Sequence, residues 1–180
     1  MIVRKRNCPI LLFGALASFI AVRSSAQPVV AGWGDDTYGQ ATIPAGLTNV
    51  AAIAAGGFNN IVLRSNGTIL TWGVGNLGQT NPPPNLTNVM AISAGYSHCL
   101  ALRSNGTVAV WGDNSLGGQT NIPPGLNGVK AIAACGFHSL ALRTNGTIVA
   151  WGYNANPQPQ RKGLSEEVLA LFRTQCIKAR

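Results

Sequence analysis

Apolar residues along the chain come in short runs, and each run ends at a turn signal. The segment IVLRSNGTILTW at 61–72 shows the unit: aliphatic and β-branched residues on either side of Asn66-Gly67. Such residues favour strands, and an Asn-Gly pair between two of them marks a hairpin. Both residues tolerate positive φ, so a tight turn with positive φ at Asn and Gly is expected. HCLALRSNGTVAVW at 98–111 and HSLALRTNGTIVAW at 138–151 repeat the unit. An alanine-rich strand precedes each hairpin: VAAIAAG at 50–56, VMAISAG at 89–95 and VKAIAAC at 129–135. Its small residues suit a place where neighbouring backbones crowd together. Thr107 to Trp111 is apolar on both faces, which calls for sheets stacked in layers, as propeller blades are. PVVAGWG at 28–34 reads as a last strand without its hairpin mate. Gly106 is expected to be irreplaceable in its turn, whereas Gly46 reads as a permissive loop position.

The units keep a common period. Trp33, Trp72, Trp111 and Trp151 are each followed by Gly, at spacings of 39, 39 and 40. The extra residue is a glycine within Gly117-Gly118. Asn66-Gly67, Asn105-Gly106 and Asn145-Gly146 each stand six residues before a tryptophan. Gly39-Gln40, Gly78-Gln79 and Gly118-Gln119 follow the first three tryptophans, and a proline-bearing connection comes next. His98 and His138 share a repeat position with Asn59. A recurrent histidine is expected to be a strand residue bonded within the fold. Self-similarity at this period is the mark of stacked supersecondary units.

The pattern GGFxxxxLRSNGTxxxWG…GQ…P…LTNVxAIAAG, running from Gly56 to Gly95, resembles the repeat of the regulator of chromosome condensation family, and GFHSLALRTNGTIVAWG at 136–152 is especially close to it. The likeness covers about residues 28–154. It implies an all-β fold of β-propeller blades. The repeat is short, which is similar to secreted bacterial members, among them the propeller-type protein inhibitor of β-lactamase. Those members imply binding of protein partners through loops at one propeller face. Known members close a ring of about seven blades. Three repeats do not, so the propeller is expected to be incomplete. A truncated or frame-shifted piece of a longer repeat protein, and self-association through open blade edges, are both kept as readings.

Charge changes the picture less than its total suggests. The net charge is +8, with 13 Lys and Arg against 5 Asp and Glu. Most bases lie in the first 26 or last 20 residues. Between 27 and 160 stand Arg64, Arg103, Lys130 and Arg143 against Asp35, Asp36 and Asp113. Nucleic-acid binding needs bases gathered on the folded surface, so no nucleic-acid partner is expected. Arg64, Arg103 and Arg143 recur two residues before each Asn and read as a solvated face that blunts a sheet edge.

The first 26 residues have a basic start, an apolar run at 8–22 and small residues at Ser24 and Ala26. That is the build of a secretory signal peptide cleaved after Ala26. The apolar run is shorter than a membrane span, so the mature chain is expected outside the cytoplasm or in the periplasm, with no membrane association. The domains expected are therefore a signal peptide at 1–26, the repeats at 27–154 and a non-repeat tail at 155–180. Ser165 heads a possible helix at 165–177, with Leu164, Val168, Leu171 and Phe172 on one stripe. Cys99, Cys135 and Cys176 remain after cleavage, and a Cys99–Cys135 disulfide is one pairing left open.

No GxSxG occurs, both histidines are locked to the repeat and acids are few, so no enzyme, catalytic residue, metal site or cofactor is expected. Binding is assigned to the loops after each Trp-Gly. Tyr38, Leu77 and Leu116 take equivalent places there, beside Asp35, Asp36, Asn76, Asp113 and Asn114. Rigid blades hold such loops in fixed positions, and apolar tips ringed by polar groups suit a protein interface. The reading is a secreted, non-catalytic interaction module with an unidentified protein partner. An exported hydrolase or lyase on a propeller scaffold is the alternative from another class. Asn66, Asn105, Asn145 and Asn85 each begin a glycosylation sequon, which leaves glycosylation open.

Overall fold

The structure is a computed structural model and describes residues 30–153. The signal peptide, the possible tail helix and Cys176 lie outside the described residues. Nine strands form three antiparallel sheets of three. The first holds β1 (Val50–Ala55), β2 (Asn59–Arg64) and β3 (Ile69–Gly73). The second holds β4 (Val89–Ala94), β5 (His98–Arg103) and β6 (Val108–Gly112). The third holds β7 (Val129–Cys135), β8 (His138–Arg143) and β9 (Ile148–Gly152). In every sheet the middle strand in sequence is also the middle strand in space. The architecture is the expected one: all-β, with three propeller-type blades in an unclosed arc.

Each alanine-rich strand pairs with the first hairpin strand, and its register shifts after the first residue (Val50/Ala52, Val89/Ala91, Val129/Ala131). The shift turns Ala51, Met90 and Lys130 to solvent. β1, β4 and β7 approach one another across the blades, so small side chains are required there. Gly57 N donates to Gly95 O and Tyr96 N to Gly136 O at this crowded junction.

The core sits between sheets. Ile61 and Leu63 of the first sheet meet Cys99, Ala101, Ala109 and Trp111 of the second, with Leu86 and Val89 closing the cluster. Leu100 and Leu102 point the other way, onto Ile132, Ala134 and Ala141 of the third sheet. Alternate residues of β5 thus serve two interfaces, as the strand period of two dictates. His98 to Leu102 are all buried. The strand dry on both faces is therefore β5, while β6, where the sequence places it, only alternates between buried and half-buried. β6 lies at the side of its sheet, where one neighbour is missing.

Polar contacts between sheets repeat with a direction. Asn59 Nδ2 donates to Cys99 Sγ (3.0 Å), and Cys99 Sγ donates to Gln79 O (3.7 Å). One blade on, His98 Nε2 lies 3.0 Å from Ser139 Oγ, which donates to Gln119 O (3.1 Å). The same glutamine carbonyls accept from the indoles of Trp111 (3.0 Å) and Trp151 (2.9 Å). Gln40 O takes Trp72 (3.2 Å) and Asn60 Nδ2 (2.7 Å) in the first sheet. Trp72, Trp111, Trp151 and His98 are thus bonded within the fold, whereas the His138 ring makes no hydrogen bond among the described residues.

Three local expectations are corrected. Residues 30–34 form no strand, because no hairpin mate offers them a ladder. In the hairpins only glycine takes positive φ: 78° at Gly67, 78° at Gly106 and 81° at Gly146, with none of Asn66, Asn105 and Asn145 left-handed. Gly106 N donates to Arg103 O (2.9 Å) and Arg103 N to Thr107 O (2.9 Å), a three-residue loop closed by a left-handed glycine. Asn105 acts through its side chain instead, its Oδ1 accepting from Thr107 N (3.1 Å) and Thr107 Oγ1 (2.7 Å). Finally, Gly46 has φ of 74° and is not a permissive position.

Candidate functional site

The loops after β3 and β6 and the turns between β1–β2, β4–β5 and β7–β8 all open at one end of the sheets. The hairpins carrying Arg64, Arg103 and Arg143 open at the other. These arginines end the central strands, opposite Val50, Val89 and Val129, so they do not blunt a sheet edge. Arg143 is held by Asn127, through Oδ1 (2.6 Å) and the carbonyl (3.0 Å).

The polar residues assigned to binding hold the loops in shape. Asp35 Oδ1 accepts from Thr37 Oγ1 (2.5 Å) and Thr37 N (3.1 Å), and its Oδ2 accepts from Gln40 Nε2 (3.0 Å). Asp36 accepts from Thr42 Oγ1 (2.6 Å), Ala41 N (2.8 Å) and Thr42 N (3.0 Å). The threonine hydroxyls, then the backbone N–H groups, hold both carboxyls below the usual aspartate range. Asp113 accepts from Ser115 N (2.8 Å). Asn114 bridges Thr120 N (3.0 Å) and Asn121 Oδ1 (3.0 Å), while Asn76 faces Gln79 Nε2 at 3.5 Å.

Beside these polar groups the loops also present large apolar side chains to solvent. Tyr38, Leu77 and Leu116 are about half exposed and do not pack away between blades. Four aromatics that the sequence reading missed join them. Tyr38, Phe58, Tyr96, Phe137 and Tyr153 form a continuous ladder of edge-on or tilted rings, with centroids 5.6, 5.1, 5.4 and 6.4 Å apart. A hollow of about 240 Å³ opens between Tyr38, Phe58, Leu77 and Tyr96. The signal that could have found the ladder is an aromatic after each alanine-rich strand, in GGF, AGY and CGF. Its position slides: Phe58 and Phe137 stand next to the recurrent Asn59 and His138, whereas Tyr96 stands two before His98. Tyr96 takes the place of Gly57, and a side chain at Gly57 would collide with the Tyr96 ring.

Burial sets the state of both histidines and of Cys99. Burial, aided by the neighbouring His138, lowers His98 to about 4, and burial also lowers His138. Burial pushes the Cys99 thiol up to about 12, so it is inert as a nucleophile. Cys99 is free and Cys135 is disulfide-bonded, which removes the Cys99–Cys135 pairing: Cys99 points into the first interface to bond Asn59 and Gln79. Among the described residues no group of three His, Cys, Asp or Glu side chains could hold a metal ion.

Residues 50–79, 90–117 and 129–158 match the family model described as Regulator of chromosome condensation (RCC1) repeat. No curated protein sequence matches the chain. Among solved structures, the chain is similar to Prp20p of Saccharomyces cerevisiae at a TM-score of 0.60 and 19% identity, covering 73% of this chain and 44% of that one. It is similar to the ectodomain of the receptor kinase CR4 of Physcomitrella patens at 0.55 and 26%, covering 67% and 34%. It is similar to human WBSCR16 at 0.56 and 21%, covering 73% and 44%. The chain thus spans less than half the length of each of these structures. Its three repeats match that model and its fold is similar to these propellers, so the chain resembles proteins built from RCC1-type repeats.

Proposed function

We propose that this chain is an exported, non-catalytic module that binds a protein partner through its aromatic face. The observation that carries the reading is the five-ring ladder flanked by Leu77 and Leu116. Contiguous exposed apolar surface with a polar rim suits protein association, and tyrosines concentrate binding energy in such patches. Loops whose acids and amides are already bonded are rigid, so little order is lost on binding. Two likenesses support the reading: Prp20p is described with binding properties to Gsp1p and histones, and CR4 is matched in the ectodomain of a receptor kinase. Export rests on the basic, apolar and small-residue succession of residues 1–26. A disulfide at Cys135 is at home in the oxidising compartments to which that leader sends a chain.

Expression with the native leader in a secreting host tests the location. Mature protein beginning at Gln27 is expected, and exported material that keeps Met1 overturns the cleavage. For the face, photo-crosslinkers at Leu77 and at Arg103 are compared in the exported fraction. A discrete adduct from Leu77, lost with Tyr96→Ala and absent from Arg103, is the expected result. Equal adducts from both positions would place binding elsewhere.

A further inference from the structure

The bonds between sheets run one way: a donor on one sheet meets a receiver on the next. Asn59 meets Cys99, and His98 meets Ser139. The hydroxyl hydrogen of Ser139 goes to Gln119 O, so its oxygen accepts and the N–H of His98 Nε2 donates.

Among the described residues, both ends of the arc carry an unmated half of this contact. On the first sheet the receiver is already assembled, with Asn60 Nδ2 and Trp72 Nε1 both donating to Gln40 O. Among the described residues, Asn60 Oδ1 accepts no hydrogen bond. An open cavity of about 780 Å³ lies in front of it, lined by Trp33, Gln40, Asn59 and Asn60. On the third sheet, His138 holds the donor place of Asn59 and His98. Its ring makes no hydrogen bond among the described residues, and no further described sheet packs beyond β7–β9. The aromatic ladder also ends in half-exposed tyrosines at both limits, Tyr38 and Tyr153.

We propose that a second copy of this chain occupies the entering face, head to tail. The third sheet of one copy stacks on the first sheet of the next, and His138 Nε2 donates to Asn60 Oδ1. The donor-to-receiver polarity selects the copy as occupant, because its two ends are complementary to each other and neither is complementary to itself. A heterologous contact of this kind closes a ring when the rotation allows and otherwise continues as a filament. The contact uses the ends of the arc, so it stands apart from partner binding on the aromatic face.

Sedimentation velocity on the full chain over a micromolar range tests it. Concentration-dependent association is expected. His138→Leu removes the donor and weakens association about tenfold, the worth of a buried bond left half-made. His138→Gln keeps an N–H donor and restores most of the loss. Thermal melts of both variants separate a lost contact from a lost fold. In a mixture of Asn60→Cys and His138→Cys chains, peptide mass spectrometry is expected to find position 60 bonded to position 138 across copies, and not in either variant alone. A monomer at every concentration, association indifferent to His138→Leu in a folded chain, or like-with-like cross-links would overturn the proposal.

Discussion

Trp33 and Trp111 occupy the same place two repeats apart, yet Trp33 is 67% exposed and Trp111 is 6% exposed. Trp111 lies between two sheets, and its indole N–H reaches a carbonyl on the connection that precedes its hairpin. Trp33 lies where no described sheet precedes it, on a segment that forms no strand. The difference teaches that burial here belongs to the neighbour and not to the residue. In a stacked architecture each unit is stabilised mainly by the units beside it.

The largest effect that breaks this comparison is truncation of the buried indole. Trp111→Ala removes a core side chain and leaves Gln79 O with one donor fewer, so a loss of about 3–5 kcal/mol is expected. Trp33→Ala is expected to stay within about 0.5 kcal/mol, as exposed positions do. Urea unfolding of both variants checks the contrast, and comparable losses would show that the entering segment is packed as tightly as the middle blade.

Acid sharpens the comparison next. The first interface uses Asn59 where the second uses His98, and only the second titrates. His98 sits at about 4 in the fold against an ordinary value near 6.5. The unfolded chain therefore binds the proton more readily between those values. Stability is full above pH 6.5 and falls as the pH drops towards 4, by roughly 3 kcal/mol at the lower end. His138, also lowered by burial, acts in the same direction. His98→Asn borrows the first interface's solution, and an amide can still donate to Ser139 Oγ. Midpoints measured at pH 7 and pH 4.5 are expected to differ less in this variant; an unchanged pH slope would show that other groups carry it.

A smaller effect separates the two residues of the hairpin. Gly106 holds φ of 78°, with Val129 and Gly128 backbone atoms close to where a Cβ would stand. Gly106→Val is expected to cost about 1–2 kcal/mol or more. Asn105→Ala loses only the side-chain bonds to Thr107 and is expected to cost about 1 kcal/mol. Thermal unfolding that ranks Asn105→Ala above Gly106→Val would assign the strain to asparagine after all.

Much of the fold is legible in the sequence because a repeat multiplies weak signals. One Asn-Gly pair is a hint, but three at a fixed distance before Trp-Gly define a sheet. The all-β blades, the crowded alanine strands and the bonded His98 follow from that, but not the unbonded His138 ring. Legibility fails where the repeat slips. Tyr96 fills the aromatic place one position away from Phe58 and Phe137, so alignment by position hides the ladder that proximity in space reveals. It also fails where one residue has two ways to serve a turn. Asn105 tolerates positive φ, but its carboxamide gives Thr107 two bonds from an ordinary backbone conformation, and glycine alone takes the left-handed place. Tyr38, Leu77 and Leu116 lie exposed on these loops, and the acids and amides beside them bond within their own loops, Asp113 alone among them being buried.

The extra glycine at 117–118 leaves a lasting mark one residue on. In the two shorter loops the glutamine side chain accepts from the backbone two residues before it, from Tyr38 N (2.8 Å) and Leu77 N (2.9 Å). In the lengthened loop the residue two before Gln119 is Gly117, and both polar atoms of the buried Gln119 carboxamide are left without a partner. Its backbone carbonyl still binds Ser139 and Trp151, so the fastening between blades survives while the clasp within the loop is undone. The glutamine therefore does two separable jobs, one with its main chain and one with its side chain. A lineage that lengthens this loop gives up only the second, which leaves the stack free to keep its spacing while its rim changes shape.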